Sequence, residues 1–254
     1  MKKSVFSCRR DGLTIQGYVF GTPDTGKNAI IISHGFLANQ RTVRQYAKAL
    51  AEEGHLAVTY DFNGGGLGSK SAGRSVDMTV LTERADLLEV IKAVREQFHP
   101  ASISLMGCSQ GGFVSALAAK ELQNDIHRLI LFYPALCIPD DARKGRMLFY
   151  RFDPENVPDV LGRFPMKLGG EYARIVMEMD PFEEISGYEG PTLLVHGTAD
   201  KIVDISYARR ARECFPSCEY HEITGGGHGF RGAHDREAIQ ILRGFINYHS
   251  PEGT

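Results

Sequence analysis

The 254-residue chain has no run of about 18 apolar residues, so no segment reads as a membrane-spanning helix. Its five cysteines, an odd number scattered at positions 8, 108, 137, 214 and 218, form no disulfide framework. The spacing Cys214-x-x-x-Cys218 lacks the second ligand pair that a zinc site needs. There is no H-E-x-x-H pair and no carboxylate cluster with metal-site spacing, so neither metal nor cofactor is expected. Basic residues never exceed two in a row (Lys2-Lys3, Arg9-Arg10, Arg209-Arg210), and the net charge is −2. That balance argues against a nucleic acid or an acidic membrane surface as partner. Residues 4–10, after Lys2-Lys3, lack the apolar core of a signal peptide, so a cytoplasmic location is expected. No internal repeat or low-complexity segment is visible.

What is present is alternation. Residues 4–10 and 13–21 alternate apolar and polar around the turn pair Asp11-Gly12, which predicts an antiparallel hairpin at the edge of a sheet. Strands at 28–33, 56–60, 102–107 and 128–133 are then interleaved with helices at 40–53, 79–97 and 110–122. After a break come strand 191–196, helix 205–214, strand 218–223 and helix 234–248. Such alternation predicts one domain over 1–254, a mostly parallel twisted sheet with helices on both faces. Its length suits a single large core, and 43% hydrophobic and 24% charged residues are ordinary for a globular chain.

One junction carries chemistry. The apolar run Ile103-Ser104-Leu105-Met106 enters Gly107-Cys108-Ser109-Gln110-Gly111, and Gly112 with Phe113–Ala119 leads out as a helix. A G-x-S-x-G turn between a buried strand and a helix is a nucleophile elbow. The turn is tight enough to strain the serine backbone and to leave no room for side chains at the flanking glycines. It lifts the serine oxygen clear of the sheet, beside the N–H groups of the helix start.

The partners follow in the chain order nucleophile, acid, histidine. Strand Pro191–His196 runs into Gly197-Thr198-Ala199-Asp200, placing Asp200 at the carboxyl end of a parallel strand, where ligands bind in open α/β sheets. After strand Glu219–Ile223, the glycines of Gly225-Gly226-Gly227-His228-Gly229-Phe230 can fold over the sheet end and present His228. A serine hydroxyl needs a base to take its proton. His228 is the candidate base, and Asp200 the group that fixes its tautomer and stabilises the imidazolium. Asp204 is acidic too, but reads as the cap of the helix that starts near Ile205. His221 falls within a strand and His234 at a helix start, so neither sits on the expected loop.

Ser109, Asp200 and His228 in this order and context predict an α/β-hydrolase fold. Its oxyanion hole takes one backbone N–H from the residue after the nucleophile, Gln110, and one from the loop after an early strand. Strand Ala29–Ser33 runs into His34-Gly35-Phe36, which makes Phe36 the second donor and His34 a structural residue beneath the loop. Cys108 reads as a small buried residue, because the elbow presents only the serine. The glycine-rich segment Asn63-Gly64-Gly65-Gly66-Leu67-Gly68 fits neither phosphate-binding pattern and reads as a flexible loop near the active face.

Residues 135–189 interrupt the alternation with five prolines (139, 154, 158, 165, 181) and read as an inserted lid over Ser109. Seven aromatics fall here: Phe149, Tyr150, Phe152, Phe164, Tyr172, Phe182 and Tyr188. They suggest an apolar or aromatic acyl pocket, or a small core of the lid itself.

Several motifs together resemble the bacterial cinnamoyl (feruloyl) esterases. They are His34-Gly35-Phe36-x-x-Asn39, Asp61-Phe62-Asn63-Gly64, Met78-Thr79-Val80-Leu81, the elbow with Gly112, His196-Gly197-Thr198-x-Asp200, and Leu168-Gly169-Gly170-x-Tyr172 in the lid. The resemblance spans nearly the whole chain. It implies hydrolysis of hydroxycinnamate esters, with lid residues on the ring hydroxyls of the acid, and it places Asp141 and Tyr172 at matching polar lid positions. The chain departs from that pattern at Leu148, where a glutamine is frequent, at Cys108, where a histidine is usual, and at Gly65 in the Asn-Gly-His-Gly turn.

The leading expectation is therefore a serine carboxylic-ester hydrolase acting on a small-molecule ester, aromatic or short-chain, with a homodimer as a possible assembly. A thioesterase or an acylglycerol lipase would use the same three residues under a different lid. A ligand-binding protein that kept the fold without turnover is the reading from another class, since fold alone does not give function.

Overall fold

The structure is a computed structural model that describes residues 2–23 and 27–248; residues 24–26 and the two ends of the expected 1–254 domain lie outside the described residues. Strands β1 (Lys3–Arg10) and β2 (Leu13–Phe20) form the expected hairpin about Asp11-Gly12. Strands β3 (Asn28–Ser33), β4 (Leu56–Tyr60), β5 (Ser102–Cys108) and β6 (Leu129–Phe132) follow. The lid contributes two-residue ladders, β7 (Arg146–Met147) with β8 (Tyr150–Arg151) and β9 (Val160–Leu161) with β10 (Leu168–Gly169). Strands β11 (Thr192–Gly197) and β12 (Cys218–Ile223) complete an eight-stranded sheet in the order β1-β2-β4-β3-β5-β6-β11-β12. Only the hairpin and the β2–β4 contact are antiparallel; the other pairs are parallel.

The helices are α1 (Arg44–Glu52), α2 (Val80–Phe98), α3 (Gln110–Leu122), α4 (Ile138–Arg143), α5 (Gly170–Met177), α6 (Pro181–Ile185), α7 (Ile205–Ala211) and α8 (Ala233–Tyr248). A 3₁₀ turn at 40–43 precedes α1 and another at 212–214 extends α7, so both expected helices begin or end in tighter turns.

The two-sided burial of the sheet explains its continuous apolar strands. In β3, Ile30 and Ile32 pack with Tyr46 and Leu50 of α1 and Leu242 and Phe245 of α8. Ala29 and Ile31 face the other way, into a cluster with Leu87 and Val90 of α2 and Phe113 and Leu117 of α3. Each fully buried isoleucine, leucine, valine or phenylalanine among them contributes about 1.5–3 kcal/mol. Helix α2 starts at a capping box in which the Thr79 hydroxyl accepts the Thr82 N–H at 3.1 Å and the Thr79 N–H donates to the Thr82 hydroxyl at 2.8 Å. Its buried stripe contains Val80, Leu87, Val90 and Val94, but also the carboxylic acids Glu83 and Asp86. Among the described residues no helix is long and apolar enough to cross a membrane.

Candidate active site

The sheet delivers three side chains to its carboxyl edge. Ser109 stands between β5 and α3 at φ 56°, ψ −124°, a strained conformation for a residue with a Cβ. Close backbone approach enforces it. A Cβ on Gly107 would lie 2.1 Å from the Gly111 carbonyl oxygen, and one on Gly111 would lie 2.4 Å from that of His34. The elbow is tied to its neighbours by the Ser109 N–H, which donates to the Phe132 carbonyl at 3.0 Å, and by the Ser109 carbonyl, which accepts from Ala135 at 2.9 Å.

His228 reaches Ser109 from the loop after β12. That loop is laced to the end of β11: the Ala199 N–H donates to the Gly226 carbonyl at 2.9 Å and the Gly225 N–H to the Thr198 hydroxyl at 2.8 Å. His228 Nε2 lies 2.9 Å from Ser109 Oγ, and its Nδ1 lies 2.8 Å from Asp200 Oδ2. The carboxylate fixes the tautomer, with the proton on Nδ1 and the lone pair on Nε2 facing the hydroxyl. The ring packs edge-on against Tyr133, with centroids 5.0 Å apart.

The Asp200 side chain is fully buried. Burial alone would raise its pKa, but hydrogen bonds from His196 and His228, the charge that His228 can carry, and the Val203 N–H outweigh that penalty. The carboxyl is held well below the usual range. Its Oδ1 accepts the Ile202 and Val203 N–H groups at 2.8 and 3.0 Å. Asp204 does cap α7, accepting the Ser206 N–H at 2.9 Å. His196 was not singled out from the sequence. It is buried with Nε2 3.3 Å from Asp200 Oδ2 and 3.0 Å from the Val203 carbonyl, so it helps to orient the acid. Its place four residues before Asp200, inside a buried strand, was the available signal.

Phe36 and Gln110 flank Ser109 on one cleft wall. Gln110 opens α3 and stands at the helix start beside Ser109, while the Gly112 and Phe113 N–H groups donate to the Ser109 carbonyl at 2.9 and 3.3 Å. Gly35 brings the Phe36 loop against the nucleophile; a Cβ there would lie 3.0 Å from that of Ser109. His34 sits beneath this loop as a neutral imidazole, its pKa lowered by burial. Its Nδ1 is 2.9 Å from the Gly35 carbonyl, and its Nε2 accepts the Phe62 N–H at 3.3 Å. Cys108 is buried on the far side of the elbow, and burial pushes its thiol pKa up to about 12, so it stays a protonated packing residue.

The glycine-rich segment lies near the active face, where backbone contacts tie it down. It buttresses the Phe36 loop: Gly66 pairs with Leu37, and a Cβ on Gly66 would lie 1.6 Å from the Ala38 carbonyl oxygen. The Asn39 amide donates to the Leu67 carbonyl at 2.7 Å, and the Asp61 carboxylate accepts the Gln40 and Lys70 N–H groups at 2.7 and 2.8 Å.

The cleft has two sides that share Phe36, Ser109 and His228. On the lid side a cavity of about 240 Å³ is walled by Ala135, Cys137, Ile138, Met147, Leu148 and Val203, with Asp141, Arg146 and Lys201 as its charged lining. On the α1 side a cavity of about 250 Å³ is walled by Thr42, Gln45, Tyr133, Phe230 and Arg231. Asp141 lines the cleft, but its carboxylate is already engaged by the Arg146 guanidinium.

Tyr172 differs from expectation. It is fully buried and does not line the cleft; its hydroxyl donates to Gln110 Oε1 at 2.7 Å. None of the seven lid aromatics lines the lid-side cavity. Tyr150, Tyr172, Phe182 and Tyr188 are buried in the lid and in the core beneath it, while Phe149 and Phe164 are exposed. Of the two alternatives left open for these rings, a pocket lining or a small core of the lid, the buried ones take the second, and the cavity wall facing Phe36 is aliphatic and sulfur-bearing.

The serine aminopeptidase, S33 (Hydrolase_4) family matches residues 24–160. The structure is similar to that of Est1E from Butyrivibrio proteoclasticus with ferulic acid bound, at 27% identity and a TM-score of 0.87, covering 95% of this chain and 98% of that one. A second structure of Est1E gives 27% identity and a TM-score of 0.82 over 96% and 99% of the two chains. The thioesterase domain from the curacin biosynthetic pathway shares the fold at 18% identity and a TM-score of 0.67, over 95% and 100%. With its family profile matched over more than half its length and its sheet order, elbow and hairpin in place, the chain is an α/β-hydrolase and belongs to the serine aminopeptidase S33 family of hydrolases.

Proposed function

We propose that the protein is a serine carboxylic-ester hydrolase that works through an acyl-enzyme on Ser109. The observation that carries this reading is the continuous chain from Ser109 Oγ through the His228 imidazole to Asp200, at 2.9 and 2.8 Å, on the floor of an open cleft. Ser109 Oγ attacks the ester carbonyl while His228 Nε2 takes its proton, and the imidazolium is stabilised by Asp200. The oxyanion develops against the N–H groups of Phe36 and Gln110. His228 then returns the proton to the alkoxide leaving group, and the same base activates a water to release the acid.

The acyl half is an aromatic, hydroxycinnamoyl-type group or a short chain, held on the lid side; the alcohol half lies on the α1 side. The ferulic acid bound to Est1E supports an aromatic acyl group. Peptide cleavage from a free N-terminus is disfavoured by the charges of the cleft. An α-ammonium needs an available carboxylate, whereas Asp141 is paired with Arg146 and a further cation, Lys201, lines the same cavity.

The test is a rate comparison on methyl ferulate, p-nitrophenyl butyrate, an acyl-thioester and an aminoacyl p-nitroanilide, with Ser109→Ala as control. Oxygen esters are expected to be turned over fastest, and Ser109→Ala to lower kcat by about 10⁴–10⁶-fold with the fold retained. Near-normal turnover by Ser109→Ala would remove the mechanism, and faster thioester cleavage would move the substrate class.

A further inference from the structure

A chain of buried polar groups runs beneath the nucleophile and is used by none of the steps above. Glu83, on the first turn of α2, is fully buried, and its Oε2 accepts the Gln110 side-chain amide at 2.5 Å. The other end of that amide, Oε1, accepts the Tyr172 hydroxyl of lid helix α5 at 2.7 Å. Gln110 is thus held at both ends, with the Tyr172 hydroxyl on Oε1 and the Glu83 carboxyl on Nε2. The Tyr172 ring also meets Phe36 edge-on, with centroids 6.3 Å apart. One lid residue therefore touches both residues that flank Ser109 on the oxyanion side.

Burying such groups is costly unless each is satisfied. A carboxyl on the apolar stripe of α2 contributes nothing to the core that a leucine would not, and its Oε1 makes no hydrogen bond among the described residues. What the carboxyl does supply is an acceptor for residue 110, whose backbone follows the strained Ser109. Its neighbour Asp86 is differently placed: it accepts from Arg10 at 2.6 Å and from the Asn63 N–H and amide at 2.8 and 2.9 Å, and so ties the Asn63 turn to β1. The two acids share one helix face but serve separate ends of it.

We propose that Glu83 and Tyr172 are positioning residues, clamping Gln110 from α2 and from the lid so that the backbone N–H groups beside Ser109 hold their aim at the developing oxyanion. This inference rests on the ester-hydrolase reading. It makes the lid part of the catalytic geometry and not only a cover, since docking of α5 completes the clamp. The interactions act in the transition state, so their loss falls on kcat and leaves substrate binding nearly unchanged.

The experiment compares the parent with Tyr172→Phe, Glu83→Ala and Glu83→Gln in p-nitrophenyl butyrate hydrolysis. It also measures affinity for phenylboronic acid, which becomes a tetrahedral anion on a reactive serine, and labelling of Ser109 by a fluorophosphonate; Tm is followed throughout. Removing one oxyanion donor outright costs about 10²–10³-fold, so misaiming it is expected to lower kcat by about 10–100-fold in Tyr172→Phe and Glu83→Ala. KM should stay within about threefold while phenylboronate binding weakens about as much as kcat falls. Glu83→Gln keeps an acceptor for the Gln110 amide and should restore kcat to within about threefold. Should Glu83→Ala fail to fold, Tyr172→Phe decides, because it retains the ring and deletes one hydroxyl. A labelled, active parent whose Tyr172→Phe variant keeps kcat and boronate affinity within about twofold overturns this inference alone. A parent that is neither labelled nor active overturns the ester-hydrolase reading and this one with it.

Discussion

The two walls of the lid-side cleft are built on different principles. The sheet wall, carrying Ser109, Phe36 and Gln110, is fixed by backbone meeting backbone: Gly107 against Gly111, Gly111 against His34, Gly66 against Ala38. The lid wall, from Ala135 to Leu148, is a short helix and two-residue ladders held by side chains, such as the Tyr150 hydroxyl on the Met166 carbonyl and Arg143 on the carbonyls of Met177 and Met179. Backbone close approach tolerates no substitution, whereas side-chain packing can be exchanged at constant volume. Under the proposed mechanism chemistry belongs on the first wall and selectivity on the second, and their variants should differ in size accordingly.

The largest expected effect that sharpens this contrast separates two acids four residues apart. Asp200→Asn keeps the shape of the sheet wall but loses the acceptor that orients His228 Nδ1, and kcat should fall by about 10³–10⁴-fold. Asp204→Asn retains an N-cap acceptor and should leave kcat within about threefold, with little change in Tm. Steady-state kinetics on one ester for both variants checks the pair; damage from the second and not the first would transfer the role of acid to Asp204.

Why some of this was legible and some not follows from the same contrast. The elbow could be read because its geometry is local: Gly107, Ser109 and Gly111 are demanded by a turn that no other residues can make. Strands β4 and β12 matched residue for residue, the first as a buried apolar run and the second as a short alternating strand, each bounded by turn signals. The lid was visible only as an interruption. Two-residue strands have no period, and whether Tyr172 points to substrate or to Gln110 depends on how α5 docks, which no spacing records. Glu83 lay in plain view as a carboxyl at position 83 of a stripe through 80, 87, 90 and 94. A charged residue at a core position is a signal of a buried partner, and here the partner is the residue after the nucleophile.

Next in size is a stability effect at the junction between the walls. Burial, then the nearby Asp86 charge, push the Glu83 pKa well above the usual carboxylate range, against a smaller opposing pull from Gln110. Facing it are Asp86, itself paired with Arg10, and the buried hydroxyls of Tyr60 and Tyr172. Above a pH of about 4.3 the unfolded chain gives up this proton while the folded protein keeps it, so folding takes up a proton. Stability then declines with rising pH by up to about 1.4 kcal/mol per pH unit from this group, until the folded pKa is passed. Glu83→Gln removes that dependence. Urea unfolding at pH 5, 6 and 7 should show the variant gaining on the parent as pH rises; a constant difference would mean that Glu83 is ionised in the fold.

The smallest effects should come from the lid wall, and they distinguish its inner from its outer surface. Leu148 lines the cleft at φ 54° and presents only methyl groups to an acyl ring, whereas Phe164 is 85% exposed and away from the cavity. Leu148→Gln adds a donor and an acceptor to the cavity lining, which a hydroxyl on the proposed acyl ring could meet. A net hydrogen bond is worth about 0.5–1.5 kcal/mol, so the preference for methyl ferulate over the unsubstituted methyl cinnamate should rise about 2–12-fold. Phe164→Ser should leave that ratio within about twofold, because a side chain already in water has no desolvated partner to lose. The ratio of kcat/KM for the two esters reports the difference directly. If Phe164 moved it as much as Leu148, the acid ring would have to extend along the outer lid, and the assignment of the acyl half to the Ala135–Leu148 wall would fall while the chemistry at Ser109 stood.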